Sequence, residues 1–202
     1  MNKKIFLATI SFLLILITNA QKLTVAVSYV DVSEYENKND IPYRPNQLLN
    51  WNDFKGKPEA SSNAAALTNA GFGIKLSFRR AENASQLDIA VNCSFSRKDS
   101  WVKLANKTNY ILNHEQKHFD IAYINTLLFI KNLRNANFTN TNYNAVIQKI
   151  YTETALAMAN MQNKYDGETS HSRLPEKQAA WDETINQLLA ATNTEFNSSK
   201  TK

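Results

Sequence analysis

Apolar and polar residues alternate along the first half of this chain and recur at helical spacing along the second. Leu23, Val25, Val27 and Tyr29 fall on one side of a run over residues 23–32, which predicts a strand. Gly71-Phe72-Gly73 opens another alternation, with Ile74, Leu76 and Phe78 on one face and Lys75, Ser77 and Arg79 on the other. Leu87, Ile89 and Val91 make a third. The polar residues 80–85 between the last two fit a hairpin loop, so this half reads as mainly antiparallel strand. Residues 34–46 carry Pro42 and Pro45 and read as a loop. Residues 51–54 form a short apolar knot ahead of Gly56 and Pro58, and the small residues of 61–70 predict no element.

The period changes at Trp101. From there to about Leu133 no Pro or Gly occurs, and Leu104, Ile111, Leu112, Phe119, Ala122, Leu127 and Ile130 recur at helical spacing. Ser100 or Asp99 supplies a cap. An Asn/Thr-rich break over 135–142 leads to a second helix, expected over 142–162 with Val146, Ile147, Ile150, Ala157 and Met161 inward. Tyr165-Asp166-Gly167 is expected to end it in a turn. A third helix starts at Pro175, which a first turn tolerates, and carries Trp181, Ile185, Leu188 and Leu189 on one face. Strands followed by helices predict an α+β fold, in one domain over 21–192 with a loose polar tail over 193–202.

The ends and the charge narrow the setting. Lys3 and Lys4 precede an uncharged apolar run over 5–17, and Thr18-Asn19-Ala20 offers small residues before a cut. Residues 1–20 therefore read as a signal peptide cleaved after Ala20, with export to the periplasm or beyond a bacterial cell. The run falls short of the ~20 residues that span a bilayer, so no stable membrane insertion is expected after cleavage. Cleavage leaves 182 of the 202 residues, which suits a single domain. Without Lys3 and Lys4, 21 basic side chains face 18 acidic ones, too mild and dispersed a surplus for a nucleic-acid partner. Cys93 is the lone thiol, which excludes an internal disulfide; its strand setting reads as a small core residue.

Chemistry enters with the histidines. The chain has three, and two lie in His114-Glu115-Gln116-Lys117-His118. On a helix, residues four apart share a face, so both imidazoles can reach one Zn²⁺ while Glu115 acts as general base toward a metal-bound water. Catalytic zinc takes three protein ligands and keeps one position for water. Ile121 and Ile124 stand where a metzincin needs glycine and histidine, so that class is excluded. The third ligand is then His171, Glu153 or Asp166. About 15 residues of the first helix beyond His118 span roughly 22 Å, so a returning second helix draws level with the metal near Ala157. Glu153 lies one turn short of that level, and His171 lies in a loop beyond it, where Gly167 lets the chain fold back, so both are reachable. His171 is favoured, as the remaining imidazole in a polar turn. Asp166 and Asp120 are candidates to orient a ligating ring. Tyr165 reads either as a donor to a developing oxyanion or as packing, and Trp51, Trp101 and Trp181 as core aromatics.

The stretch over residues 111–122 around His114-Glu115-Gln116-Lys117-His118, then Tyr165-Asp166 with Thr169 and His171, then Gln178 and Trp181, resembles DUF922, a family of secreted bacterial zinc-dependent proteases. Residues 51–58, from Trp51 to Pro58, also look like that family, and the likeness covers roughly 48–190. It implies a zincin-like fold and His171 as a metal ligand. Ser172 departs from the glycine usual after that histidine. The expectation is a metallopeptidase acting on a peptide or protein substrate, laid along an edge strand of the hairpin over 74–91. The competing expectation is a non-catalytic exported module that captures a peptide or surface partner. Cell-wall amide hydrolysis would share the metal chemistry, and oligomeric state is left open.

Overall fold

The computed structural model describes residues 22–31, 39–82 and 84–198; the expected signal peptide and loose C-terminal residues 199–202 lie outside them. In chain order come β1 (Lys22–Tyr29), β2 (Asp40–Pro42), β3 (Ala66–Leu67), β4 (Ala70–Arg80), β5 (Ala84–Ser96) and β6 (Trp101–Val102). Three helices follow: α1 (Asn109–Arg134), α2 (Tyr143–Thr169) and α3 (Pro175–Ser198). This is the α+β order expected.

β5 is the hub of the sheet. β4 pairs antiparallel along one edge, from Ala70 opposite Phe95 to Arg80 opposite Ser85. The other edge is shared in series by β2, antiparallel, and β1, which is parallel (Lys22 opposite Ala84, Tyr29 opposite Val91). The strands are thus mainly antiparallel, as expected, with β1 the parallel exception. Alternation sets which face of a strand is buried, but it carries no information on strand direction. Leu87, Ile89, Val91, Cys93 and Phe95 alternate along β5 and are all fully buried. Burial pushes the Cys93 thiol up to about 12, which makes it an inert core residue. On β4 the pattern is diluted: Phe72 is buried and Phe78 stacks on Tyr143, but Leu76 is 40% exposed.

α1 packs against the sheet on one side and against α2 and α3 on others. The pairs His118–Gln162 and His114–Asp166 show that α2 runs antiparallel to it. The pairs Asn113–Asp182, Lys117–Asn186 and Tyr123–Asn193 show that α3 runs parallel. Enclosure on these sides buries polar and apolar positions alike, so polar groups on α1 must find partners inside the protein.

Three helix limits differ from expectation. α1 begins at Asn109, where the Thr108 hydroxyl accepts from the Ile111 N–H at 3.2 Å. Trp101 and Val102 instead form β6, paired with β3, and Leu104 is 82% exposed. α2 continues through Gly167 to Thr169, because Tyr165 and Thr169 are buried against the rest of the fold. That packing outweighs the ~1 kcal/mol a helical glycine costs. Tyr165 and Asp166 are therefore helical, and the turn is made by Ser170, His171 and Ser172 in left-handed backbone (φ 50°, 52° and 66°). Such residues cost about 1–3 kcal/mol each and persist only where the surroundings fix them. Here His171 N–H donates to the Asp166 carbonyl at 2.9 Å, and Leu174 N–H to that of Thr169 at 3.0 Å. α3 extends to Ser198 with Phe196 buried, so residues 193–198 are helical instead of loose tail. Among the described residues no helix is long and apolar enough to cross a membrane.

Candidate metal centre

His114 and His118 leave the same face of α1, as their spacing dictates. Their Nε2 atoms lie 3.3 Å apart, and each lies 3.1 Å from Oδ1 of Asp166, which reaches across from α2. His114, His118 and Asp166 form a group able to hold a metal ion. His171 sits beside this group at the rim: its Nδ1 is 3.4 Å from the same Asp166 oxygen and its side chain is about half exposed. Glu153 is not part of it. Its side chain is 65% exposed, with Lys149 3.9 Å away.

The tautomer of each imidazole is fixed from behind. The Gln162 amide donates through Nε2 to the His118 carbonyl at 2.9 Å, so its Oε1 faces His118 Nδ1. The Gln178 amide donates to Asp182 at 2.7 Å and to the Tyr165 hydroxyl, so its Oε1 faces His114 Nδ1 at 2.7 Å. An amide oxygen only accepts, so both Nδ1 atoms must carry hydrogen. A neutral ring protonated at Nδ1 presents a lone pair at Nε2. Two such lone pairs and a carboxylate oxygen then converge within about one van der Waals contact, which only a cation or added protons can relieve.

The titration behaviour has the same origin. Burial pushes the Asp166 carboxyl up, but hydrogen bonds with His114 and His118 outweigh it and hold the group well below the usual carboxylate range. Burial alone would lower His118, yet Asp166 and Glu115 outweigh that and raise it. Both shifts favour positive charge placed between the rings and Asp166.

Glu115 stands between the two histidines, 3% exposed. Burial raises its carboxyl above the usual range, opposed in part by the neighbouring imidazoles. Its Oε2 is buried with no hydrogen-bond partner. Both groups line a cleft of about 560 Å³ whose opposite wall is the extended segment over 64–70. That segment is anchored by Lys103 N–H to the Ala65 carbonyl (2.9 Å), Asn69 N–H to Ser100 Oγ (2.9 Å) and the Thr68 hydroxyl to the Glu115 carbonyl (3.2 Å). The cleft wall is therefore the stretch that predicted no element. The outer part of the 74–91 hairpin, expected to receive a peptide, faces a separate hollow with the start of α2.

Tyr165 is fully buried, its ring stacked on His114 (centroids 4.6 Å, 22°) and edge-on to His118 (5.0 Å, 70°). Its hydroxyl donates to the His114 carbonyl at 3.4 Å and accepts from Gln178. It floors the imidazoles and is not aimed at the cleft, so of the two readings packing is the one observed. Trp181 packs edge-on to Tyr165 at 5.5 Å. Asp120 is turned away from the site, toward Lys117 and Tyr43. Gln162 was invisible as a functional position: Met158, Gln162 and Asp166 do recur every four residues along one face of α2. A glutamine at that spacing is, however, ordinary on any amphipathic helix.

No family model, curated protein or solved structure matches this chain.

Proposed function

We propose that this protein is a zinc-dependent hydrolase of peptide bonds, with Zn²⁺ held by His114, His118 and Asp166 and with Glu115 as general base. The observation that carries the reading is the convergence of three donor atoms whose tautomers leave lone pairs facing one point. Their separations of 3.1–3.3 Å lie just inside the roughly 3.3 Å edge of a tetrahedron with metal–ligand bonds of about 2.0 Å. The buried, unpartnered Oε2 of Glu115 is the second support, since an orphaned carboxylate oxygen beside such a group is a ready proton acceptor.

When bound, Zn²⁺ supplies a water of lowered pKa and polarises a carbonyl oxygen. At its carboxylate Glu115 would accept a proton from the water that adds to the carbonyl carbon, and would return it to the amine nitrogen as the C–N bond breaks. Gln162 and Gln178 keep both rings in the ligating tautomer. Tyr165 backs both, stacked on His114 and edge-on to His118, and the wall over 64–70 confines an extended substrate above them. His171, which the family resemblance makes a ligand, here closes on Asp166 from the rim. The N-terminal signal pattern supports export of such a peptidase.

The test is zinc content and cleavage of a casein-type substrate by the wild type and Glu115→Gln. The expected result is one zinc per chain in both, with cleavage slowed by about 10²–10⁴-fold in the variant. Zinc retained with equal activity in both, or activity in neither, overturns the reading in favour of a binding module.

A further inference from the structure

A second hollow, of about 280 Å³, opens beside the metal cleft. The two share Ala64, Ala65, His171 and Ser172 as a common wall, so a chain lying in the cleft can turn one group into the hollow. Its lining includes Lys103 and Arg173 and no carboxylate.

Both cations are held in place by the cleft wall itself. Lys103 Nζ donates to the Ser62 carbonyl at 2.5 Å, and Arg173 Nη2 to the Asn63 carbonyl at 3.0 Å. An ammonium has three N–H donors and a guanidinium five, so each retains donors beyond the one it spends on backbone. Asp182, close enough to act on Tyr110 of the lining, is engaged by Gln178 and Asn113 at 2.7 and 2.8 Å. Tyr110 and Ile111 add apolar surface for methylene groups. The combination of two fixed cations, an apolar floor and a volume suited to one side chain is selective for a carboxylate on a short stem.

We propose that this hollow is a specificity subsite for a carboxylate of the substrate, either a Glu/Asp side chain next to the cleaved bond or the terminal carboxylate of a peptide. The proposal rests on the peptidase reading above and names the substrate class of that site.

The experiment compares peptides that differ at one position (Glu, Gln or Lys) and peptides ending in a free carboxylate or an amide. Wild-type zinc-loaded protein is expected to cleave the carboxylate form at least about tenfold faster than its neutral counterpart. The pair that shows the difference identifies the source of the carboxylate. Arg173→Glu, at an exposed position, is expected to reverse the order toward Lys. Equal cleavage of all forms, or an unchanged order in Arg173→Glu, overturns the subsite. Should no peptide be cleaved, the peptidase reading fails, and the subsite is read from binding of rhodamine-labelled peptides by fluorescence anisotropy. Carboxylate peptides are then expected to bind at least about tenfold more tightly than neutral ones, with the difference lost in Arg173→Glu; equal binding overturns it.

Discussion

On one side of α1, Lys117, Asp120, Gln116, Tyr43 and Asn186 satisfy one another; on the other, His114, His118, Asp166 and Glu115 converge with donors and acceptors unmatched. Asp120 accepts from Tyr43 and Gln116 at one oxygen and from Lys117 at the other, and Lys117 also donates to Asn186. Charge and hydrogen-bonding capacity are matched there. The cluster ties the loop after β2 and helix α3 to α1, with Gln116 accepting from the Leu49 N–H as well. In the histidine cluster, acceptors face acceptors and one carboxylate oxygen has no partner. Both clusters are buried on the same helix within a turn or so of each other. What separates a structural cluster from a candidate site is therefore the balance of donors and acceptors, and not burial or charge alone.

The largest test of this contrast is Lys117→Met. It leaves the buried Asp120 charge without its cation, which is expected to cost about 3–5 kcal/mol in urea denaturation while zinc content stays unchanged. Loss of zinc in that variant would merge the two clusters into one.

Next in size are Gln162→Ala and Gln178→Ala. Each frees one imidazole to adopt the wrong tautomer, and competition with a chromophoric chelator is expected to show zinc bound about 10–100-fold more weakly. Unchanged affinity would deny the two amides their positioning role.

A smaller effect has the opposite sign. Metal-free Glu115→Gln is expected to be more stable than the metal-free wild type at pH 8, by about 1 kcal/mol, because a desolvated carboxylate with one unpartnered oxygen is removed. The Glu115 carboxyl is raised in the folded protein, so its ionised form opposes folding only above its unfolded value of about 4.3. The gain is therefore expected to fall away as pH drops through about 4 and to vanish near pH 3, where both states are protonated. Equal melting at pH 8 would mean that Glu115 is not under tension.

Least of all, Glu153→Gln is expected to leave stability within about 0.5 kcal/mol and zinc affinity unmoved, as an exposed helix charge should. A drop in zinc binding there would reopen the choice of third ligand.

Much of this was legible in the chain. The i, i+4 histidines with a glutamate between them fix one face of a helix wherever that helix lies, and the alternation along β5 fixed its buried side. Helix ends were less legible. Trp101 and Leu104 fit a helical period by chance; Trp101–Val102 pair with β3 instead, and the helix starts at Asn109 behind its Thr108 cap. Gly167 read as a turn because a lone glycine weakens a helix, and the contacts of Tyr165 and Thr169 overrode it. The cleft wall over 64–70 left no periodic trace because its residues are small and its hydrogen bonds run to β6, Ser100 and α1.

By itself, the sequence determined the order of strands and helices, the pairing of His114 with His118, and the small set of groups available to join them. These depend on local spacing, which the chain carries with it. Only the tertiary structure decided which distant group completes the cluster. Asp166 meets both rings because α2 continues past residue 162, through Asp166 to Thr169, and runs antiparallel to α1. That outcome depends on packing between helices far apart in the chain, where the energy is distributed over many contacts and no single residue announces it.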